Sequence, residues 1–178
     1  MWRRAPVAAV TGLARSRLRA GLRAAAPHLS WRAQALVDAI LLTEGAVGAA
    51  GCVARLLGLR NRFELAHWLA HEGLPPLHEL AGWISVLVWV DLCALTGASL
   101  CALALCRDRD PAACYRLVQR VTGQSWSAVR ALGGGWVLAG FATRCGTVRD
   151  GGWAALGLER DAARAQVGGR GPAHGCRA

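Results

Sequence analysis

The sequence predicts an all-α protein in which a bundle of helices surrounds one buried apolar helix. Apolar residues recur at helical spacing along most of the chain, and no segment shows the alternation typical of β-strands. Between Glu79 and Arg107 the only charged residue is Asp91. A helix this apolar either crosses a membrane or is buried on all sides, and the amphipathic segments around it favour burial. A chain of 178 residues is long enough for one domain with a proper core.

Residues 1–30 are predicted to be a basic N-terminal segment or first helix. The segment is rich in arginine, and no acidic residue precedes Asp38. An arginine-rich, acid-free segment is also typical of a mitochondrial transit peptide. Both interpretations therefore stay open, whereas the lack of a compact apolar stretch excludes a secretory signal.

Three helices are predicted before the apolar stretch. The first covers 31–46, with Ser30 as its N-cap. The second is a short, glycine-punctuated helix over 49–59. The third runs from 61 to 72, because Gly73 and the two prolines that follow forbid its continuation.

The apolar stretch itself predicts a central helix from about 83 to 106, and further helices follow a polar turn. Asp110 and Pro111 provide an N-cap and then a proline at the first helical position, so the next helix is expected over 111–122. A short helix from about Ser125 and another from Trp136 are expected on either side of a glycine run.

One helical domain is expected, covering residues 31–165. Beyond it, residues 166–178 are rich in glycine, alanine and arginine, and this composition predicts a disordered basic tail. No internal repeat is evident.

Composition bears on several function classes. The net charge of +10 comes entirely from arginine, because the chain contains no lysine. No zinc-finger spacing or other nucleic-acid motif accompanies this charge, so specific nucleic-acid binding is not expected.

The seven cysteines form no C-x-x-C pair and are interpreted as free thiols in a reducing compartment. His67 and His71 have metal-ligand spacing, but a solvated helix face is the simpler interpretation. Neither an enzymatic activity nor a cofactor is expected.

The segment 82–94, Gly-Trp-Ile-Ser-Val-Leu-Val-Trp-Val-Asp-Leu-Cys-Ala, resembles the first homology motif of the Bcl-2 family of apoptosis regulators. In that motif a tryptophan precedes an apolar block, an acidic residue and small residues. Here Trp83, Asp91 and the pair Cys93 and Ala94 occur in the same order.

The second homology motif of the family is a tryptophan followed shortly by Gly-Gly-Trp. Trp126 and the run Gly134-Gly135-Trp136 resemble it, with a few additional residues between them. The separation of Trp83 from Trp126 is close to the family's usual separation of these two landmarks.

A third similarity lies upstream. Residues 62–73 resemble the family's fourth helix, which ends in an acidic residue and a glycine. Leu65 and Leu69 then fall where the family has groove-lining apolar residues. The resemblance covers about residues 61–140 and implies a Bcl-2-like helical bundle with a buried central apolar helix.

The resemblance further implies an apolar groove beside the central helix that binds an amphipathic helix of a partner. The residues expected to line this groove or brace its ends are Leu65, Leu69, Trp83, Ser85, Leu87, Val88, Leu92 and Trp136. The remaining motif landmarks are Gly82, Asp91, Trp126, Gly134 and Gly135.

The chain departs from the family pattern at several points. The first-motif arginine, which in the family pairs with an aspartate of the bound helix, is replaced by Ser85. A charge-assisted hydrogen bond of this kind contributes roughly 1.5–3 kcal/mol, so the preferred ligands are expected to differ. Residues 74–81 resemble an insertion at the groove edge. The third homology motif is incomplete, because Ala46 follows Gly45 where the family has an aspartate.

These similarities imply an anti-apoptotic, virus-encoded protein whose nearest relatives would be herpesvirus homologues. Its expected partners are pro-apoptotic Bcl-2 family proteins, bound through their death-motif helices, and an autophagy regulator. The expected location is the host cell cytoplasm, in association with the mitochondrial surface, without the C-terminal membrane anchor common in the family.

Two alternatives stay open. The tryptophans at 83, 126 and 136 are equally suited to anchoring the core of an unrelated helical bundle. The chain could instead be a small mitochondrial membrane protein, with an arginine-rich targeting segment and a span near 80–106.

Overall fold

The structure, a computed structural model, describes residues 7–146, which contain eight α-helices and no β-strand. The all-α prediction is thus confirmed for this part of the chain. The predicted tail at 166–178 lies outside the described residues. In chain order the helices are α1 (Val7–Ala25), α2 (Trp31–Leu42), α3 (Ala50–Leu56), α4 (Arg62–His71), α5 (Leu77–Thr96), α6 (Leu100–Leu105), α7 (Pro111–Thr122) and α8 (Trp126–Arg144).

Helix α5 forms the centre of the bundle. Helices α1, α2, α6, α7 and α8 pack against it, and most of its side chains are buried. By length and composition it is the only helix within residues 7–146 that could cross a membrane. The mean hydropathy of its most apolar window is 1.5. The buried core helix of a soluble protein passes the same test, and 72% of this apolar window is buried inside the protein.

The bounds of the central helix differ from those expected. Helix α5 starts after Pro76, so Trp83 lies in its second turn rather than at its start. It ends at Gly97, whose φ of 69° is left-handed and whose N–H binds the carbonyl of Cys93. The apolar stretch resumes in a separate helix, α6, which Ser99 caps. The single helix predicted over 83–106 is therefore wrong, because one glycine stops it.

The predicted N-caps are confirmed. The side chain of Ser30 accepts a hydrogen bond from the backbone N–H of Ala33 at the start of α2. Asp110 accepts from the N–H groups of Ala112 and Ala113 at the start of α7. Both helices expected around the glycine run are present within α8, and they are separated at Gly133, where a φ of 80° and a ψ of 175° are not helical.

Two glycines allow helices to approach α5 closely. A Cβ atom added at Gly82 would lie 2.8 Å from Cγ2 of Val121, so α7 packs directly on the α5 backbone. A Cβ atom at Gly140 would lie 2.9 Å from Cη2 of Trp83, so the indole ring of α5 rests on the α8 backbone. The packing of the bundle around α5 depends on both small residues.

The basic first helix is part of the bundle. Helix α1 packs against α2, α5 and α8. Arg19 and Arg23 both donate to Oδ2 of Asp38 in α2, with Nη2–Oδ2 distances of 2.6 and 2.9 Å. Part of the arginine content of the N-terminal segment is therefore used to join the first two helices.

Candidate functional site

An apolar recess opens between α4 and the start of α5, with a volume of about 340 Å³. This volume lies at the low end of the range for ligand pockets, roughly 300–1,000 Å³. Its floor is made by Leu65, Leu69 and Leu77, which are almost fully buried. Its edge carries the exposed residues Ala66 and Ala70. We call this opening the apolar recess.

Local sequence explains why α4 presents these leucines. Asn61 caps the helix by accepting from the N–H groups of Phe63 and Glu64. Leu65 and Leu69, four residues apart, then share the inward face. At the other end, the Glu72 carboxylate accepts hydrogen bonds from the hydroxyl and N–H of Ser30, at 2.8 and 3.1 Å.

The rim of the apolar recess carries an exposed aromatic side chain. Phe63 is 64% exposed, and the guanidinium of Arg62 lies 4.9 Å from the centroid of its ring. A single exposed apolar residue is ordinary on a protein surface, but Phe63 extends the apolar lining of the recess into a contiguous patch, and such patches are typical of surfaces that contact a partner.

A second, larger opening of about 900 Å³ lies between the α2–α3 turn, the start of α5, α7 and the end of α8. Three arginines from separate segments face it: Arg109, Arg120 and Arg144. His78 lines both openings, so they adjoin one another. We call this opening the arginine recess.

Two of the three arginines have polar partners. Arg144 forms an ion pair with Glu79, with Nη2 3.1 Å from Oε2. The hydrogen bond from Arg144 is the main reason that the pKa of Glu79 is lowered, and burial opposes this effect. Arg109 donates to the backbone carbonyl of Glu44 at 3.3 Å and lies 5.9 Å from the ring centroid of Trp89. Neither contact supplies a negative charge that would neutralise Arg109.

Ser85, which the sequence resemblance aligns with a motif arginine, lines the arginine recess and is 2% exposed. Its hydroxyl is 2.9 Å from the carbonyl oxygen of Ala81 and 3.2 Å from that of Glu44, and shares its one proton between these two acceptors. The side chain therefore joins α5 to the α2–α3 turn. Gly82 also lines this recess.

The structure brings only some of the expected groove residues to a surface opening. Leu87, Val88 and Leu92 are at most 3% exposed and line neither recess. They lie in the core of the bundle. Trp83 is also buried, with its ring against Gly140.

The motif landmarks on α8 take part in core packing. Trp126 and Trp136 are partly buried and pack against the core on either side of the kink. A Cβ atom at Gly134 would lie 3.8 Å from Val90, an ordinary contact, and Gly135 is exposed. None of these residues lines either recess.

Asp91 is the one acidic residue in the second half of α5 and is half-buried. Its Oδ2 atom has no hydrogen-bond partner among the described residues. Burial raises the pKa of the carboxyl group, and the charge of Arg17 partly offsets this effect.

The cysteines and histidines within residues 7–146 form no group of three potential metal ligands with one another or with acidic residues. The cysteines of this part of the chain are free thiols. Burial raises the pKa of the Cys145 thiol to about 12. His67 and His71 are both exposed on α4.

The sequence interpretation missed the arginine recess. Arg109, Arg120 and Arg144 come from a turn and two helices, and no local spacing connects them. The sequence shows only an overall excess of arginine, and such a charge favours acidic partners in general.

Comparison with known proteins identifies no matching protein family, no similar curated protein and no similar solved structure.

Proposed function

We propose that this chain is an anti-apoptotic Bcl-2-like protein that binds death-motif helices of pro-apoptotic Bcl-2 family proteins in the apolar recess. The observation that carries the proposal is the recess itself. Leu65 and Leu69, the α4 residues that the resemblance assigns to the groove, form its floor. The fold also supports the proposal, because helices pack on several sides of the buried apolar helix α5.

In this mechanism the partner's amphipathic helix lies along α4. Its apolar side chains, repeated at i, i+3/i+4 and i+7, enter the recess and contact Phe63, Ala66 and Ala70 at the edge. Leu87 and Leu92 are buried in the core and do not touch the partner in this mechanism. No bond is made or broken, and the partner is inhibited by sequestration.

The proposed location of the protein is the host cell. A virus-encoded inhibitor of this type acts in the cytoplasm and at the mitochondrial surface, where pro-apoptotic proteins assemble. An autophagy regulator with a similar helix is a second partner. The buried Ser85 offers no charge to an aspartate of such a helix, so the affinities for individual partners differ from the usual family pattern.

Isothermal titration calorimetry against a panel of peptides from pro-apoptotic and autophagy proteins tests the proposal. Ala66→Glu adds a charge to the recess without removing a core side chain, because Ala66 is exposed. Ala102→Glu is the matched control: Ala102 is exposed in the first turn of α6, where an acidic residue is favourable, and it lines neither recess.

Saturable binding to at least one peptide, weakened at least about 10-fold by Ala66→Glu and unchanged by Ala102→Glu, is the expected result. No binding across the panel by a folded wild-type protein would reject the proposal. Equal weakening by both variants would also reject the apolar recess as the binding surface.

The membrane-protein alternative rests on helix α5, which is long and apolar enough to span a bilayer. It predicts that the protein expressed in human cells resists alkaline carbonate extraction and loses its N-terminal segment on import into mitochondria. The sequestration mechanism predicts instead a carbonate-extractable protein and an intact N-terminus.

A further inference from the structure

The connection between α3 and α4 carries two large apolar side chains in solvent. Leu56, the last residue of α3, is 87% exposed, more than any other large apolar residue in the described part of the chain. Phe63, in the first turn of α4, is also exposed. The N–H of Leu59 donates to the carbonyl of Ala54 at 2.8 Å and so ends α3 in a tight turn. We call residues 55–63 the α3–α4 corner.

The charged side chains of the α3–α4 corner are all arginines. Arg55, Arg60 and Arg62 are exposed and form no ion pair within residues 7–146. Glu64 is the only acidic residue from 45 to 71, and its carboxylate accepts a hydrogen bond from the backbone N–H of Arg60 at 2.6 Å. Three cations thus stand against one carboxylate, and the corner is complementary to a surface of negative charge.

The α3–α4 corner is held to the rest of the bundle. The guanidinium of Arg32 donates to the carbonyl of Leu57 and lies 5.9 Å from the ring centroid of Trp68. This side chain therefore joins α2, the corner and α4, and the exposed Trp31 begins α2 next to it in the chain. Tryptophan is enriched at the boundary between membrane and water, because its indole ring is apolar and its N–H is polar.

The exposure of Leu56 favours a fluid partner. A leucine that is 87% exposed protrudes from the protein, and Leu56 lines neither recess. A protein partner needs a pocket shaped to receive such a side chain, whereas a bilayer accommodates it between headgroups and acyl chains. Arginines that flank the side chain pair with the phosphate groups of anionic lipids.

We propose that the α3–α4 corner docks on the surface of a bilayer that contains anionic lipid. Leu56 enters the boundary between headgroups and acyl chains, while Arg55, Arg60 and Arg62 bind lipid phosphates. Helix α5 stays buried in the bundle, so the protein lies on the membrane and does not span it. This inference does not depend on the binding of a partner helix.

Cosedimentation of the full chain with vesicles tests the proposal. Vesicles of phosphatidylcholine and phosphatidylserine are compared with vesicles of phosphatidylcholine alone. Leu56→Gln is matched by Leu105→Gln, because Leu105 is also an exposed last residue of a short helix, α6. Leu56→Gln is expected to weaken binding to the anionic vesicles about 5-fold or more, because its methylene groups leave the bilayer. Leu105→Gln should leave that binding near the wild-type value.

A second pair of variants separates the α3–α4 corner from the overall charge of the protein. Arg55→Gln combined with Arg60→Gln removes two charges from the corner. Arg120→Gln combined with Arg130→Gln removes two charges from exposed residues of α7 and α8. The first double variant is expected to weaken binding about 10-fold or more, and the second less than about 3-fold. Circular dichroism checks that every variant is folded.

Four outcomes would overturn the inference. One is the absence of binding to anionic vesicles by the folded wild type. Another is equal weakening by both members of each pair, which would indicate attraction by net charge alone. A third is binding that resists both high salt and carbonate, as a helix that spans the bilayer would show. The fourth is a Leu56→Gln variant that loses a peptide or a dimer while its vesicle binding is unchanged, which would favour a protein partner.

The calorimetry panel, measured without lipid, reports on the proposed function separately. Peptide binding without vesicle binding would keep the proposed function and reject docking of the α3–α4 corner. Vesicle binding with the expected variant pattern, but without peptide binding, would support docking and reject sequestration of partner helices.

Discussion

Glu44 binds Arg107 through both of its carboxylate oxygens and so joins the α2–α3 turn to the α6–α7 turn. Arg107 Nη2 lies 3.2 Å from Glu44 Oε1, and Arg15 of α1 lies 3.3 Å from the same oxygen. Burial raises the pKa of Glu44, but the hydrogen bond and charge of Arg107, followed by those of Arg15, outweigh burial. The pKa of Glu44 is therefore lowered from its usual 4.5.

This relationship predicts that Glu44→Gln destabilises the protein in a pH-dependent way. A carboxyl group with a lowered pKa in the folded state stabilises the fold above its unfolded pKa, and this contribution is lost as the pH falls through the folded value. At pH 7 the free energy of unfolding is expected to drop by about 1–3 kcal/mol, because two arginines lose their carboxylate. Urea denaturation followed by circular dichroism measures this drop in the free energy of unfolding.

The difference between wild type and Glu44→Gln should shrink as the pH falls below about 4.5. Asp108→Asn serves as the control, since Asp108 is an exposed acidic residue in the neighbouring turn. It should change stability by less than about 0.5 kcal/mol. A Glu44→Gln deficit that stays constant from pH 7 to acid would show that the ion pairs are not its cause.

The contribution of Asp91 to the free energy of unfolding is expected to change with pH in the opposite direction to that of Glu44. Burial raises the pKa of its carboxyl group, and the charge of Arg17 only partly offsets this. A raised pKa means that the ionised group destabilises the fold at neutral pH, a penalty that disappears as the pH falls below the unfolded pKa. Asp91→Asn is therefore expected to increase the free energy of unfolding at pH 7 by about 1 kcal/mol, with a smaller gain near pH 3. A decrease at pH 7 would mean that the carboxylate is stabilised where it lies.

Local signals predicted the starts of α2 and α7 well. Ser30 and Asp110 cap α2 and α7 as expected, because a cap depends on a side chain and the next three backbone N–H groups. The end of α5 at Gly97 was missed, because the apolar run continues past the glycine and conceals the break.

The candidate site was harder to predict, because its residues meet only in the folded chain. Helix α5 is apolar on all sides, so its sequence cannot show that Leu87 faces the core while Ser85 reaches the base of a recess. Trp31, a large apolar residue at the first position of α2, is likewise 76% exposed. Spacing along one helix does not reveal where that helix lacks a neighbour.

The cysteines differ in their predicted reactivity. Burial raises the pKa of Cys145 to about 12, whereas Cys52 and Cys106 are exposed. Because the thiolate is the reactive form, iodoacetamide at pH 8 should modify the two exposed cysteines at least about 100-fold faster than Cys145. Mass spectrometry of timed, quenched samples measures the three rates. Comparable rates in native protein would contradict the burial of Cys145, and denaturant should make all three equal.

Substitution by alanine is expected to change the free energy of unfolding in opposite directions at two helical glycines, Gly82 and Gly12. An alanine Cβ at Gly82 would lie 2.8 Å from Cγ2 of Val121 and 3.3 Å from Cδ1 of Leu117, so the side chains that α7 packs on α5 must shift. Overpacking of this kind costs about 1–3 kcal/mol, and part of that is offset by the better helix propensity of alanine. Gly82→Ala is therefore expected to lower the free energy of unfolding by about 1–2 kcal/mol.

Gly12 lies within α1, and a Cβ there would meet no atom within 4 Å. Gly12→Ala is expected to raise the free energy of unfolding by about 0.5–1 kcal/mol, because it restricts the unfolded chain without a clash. Urea denaturation of both variants beside wild type measures the two changes. Stabilisation by Gly82→Ala would mean that α7 does not press on α5, and the arginine recess, which both helices line, would then have a different shape.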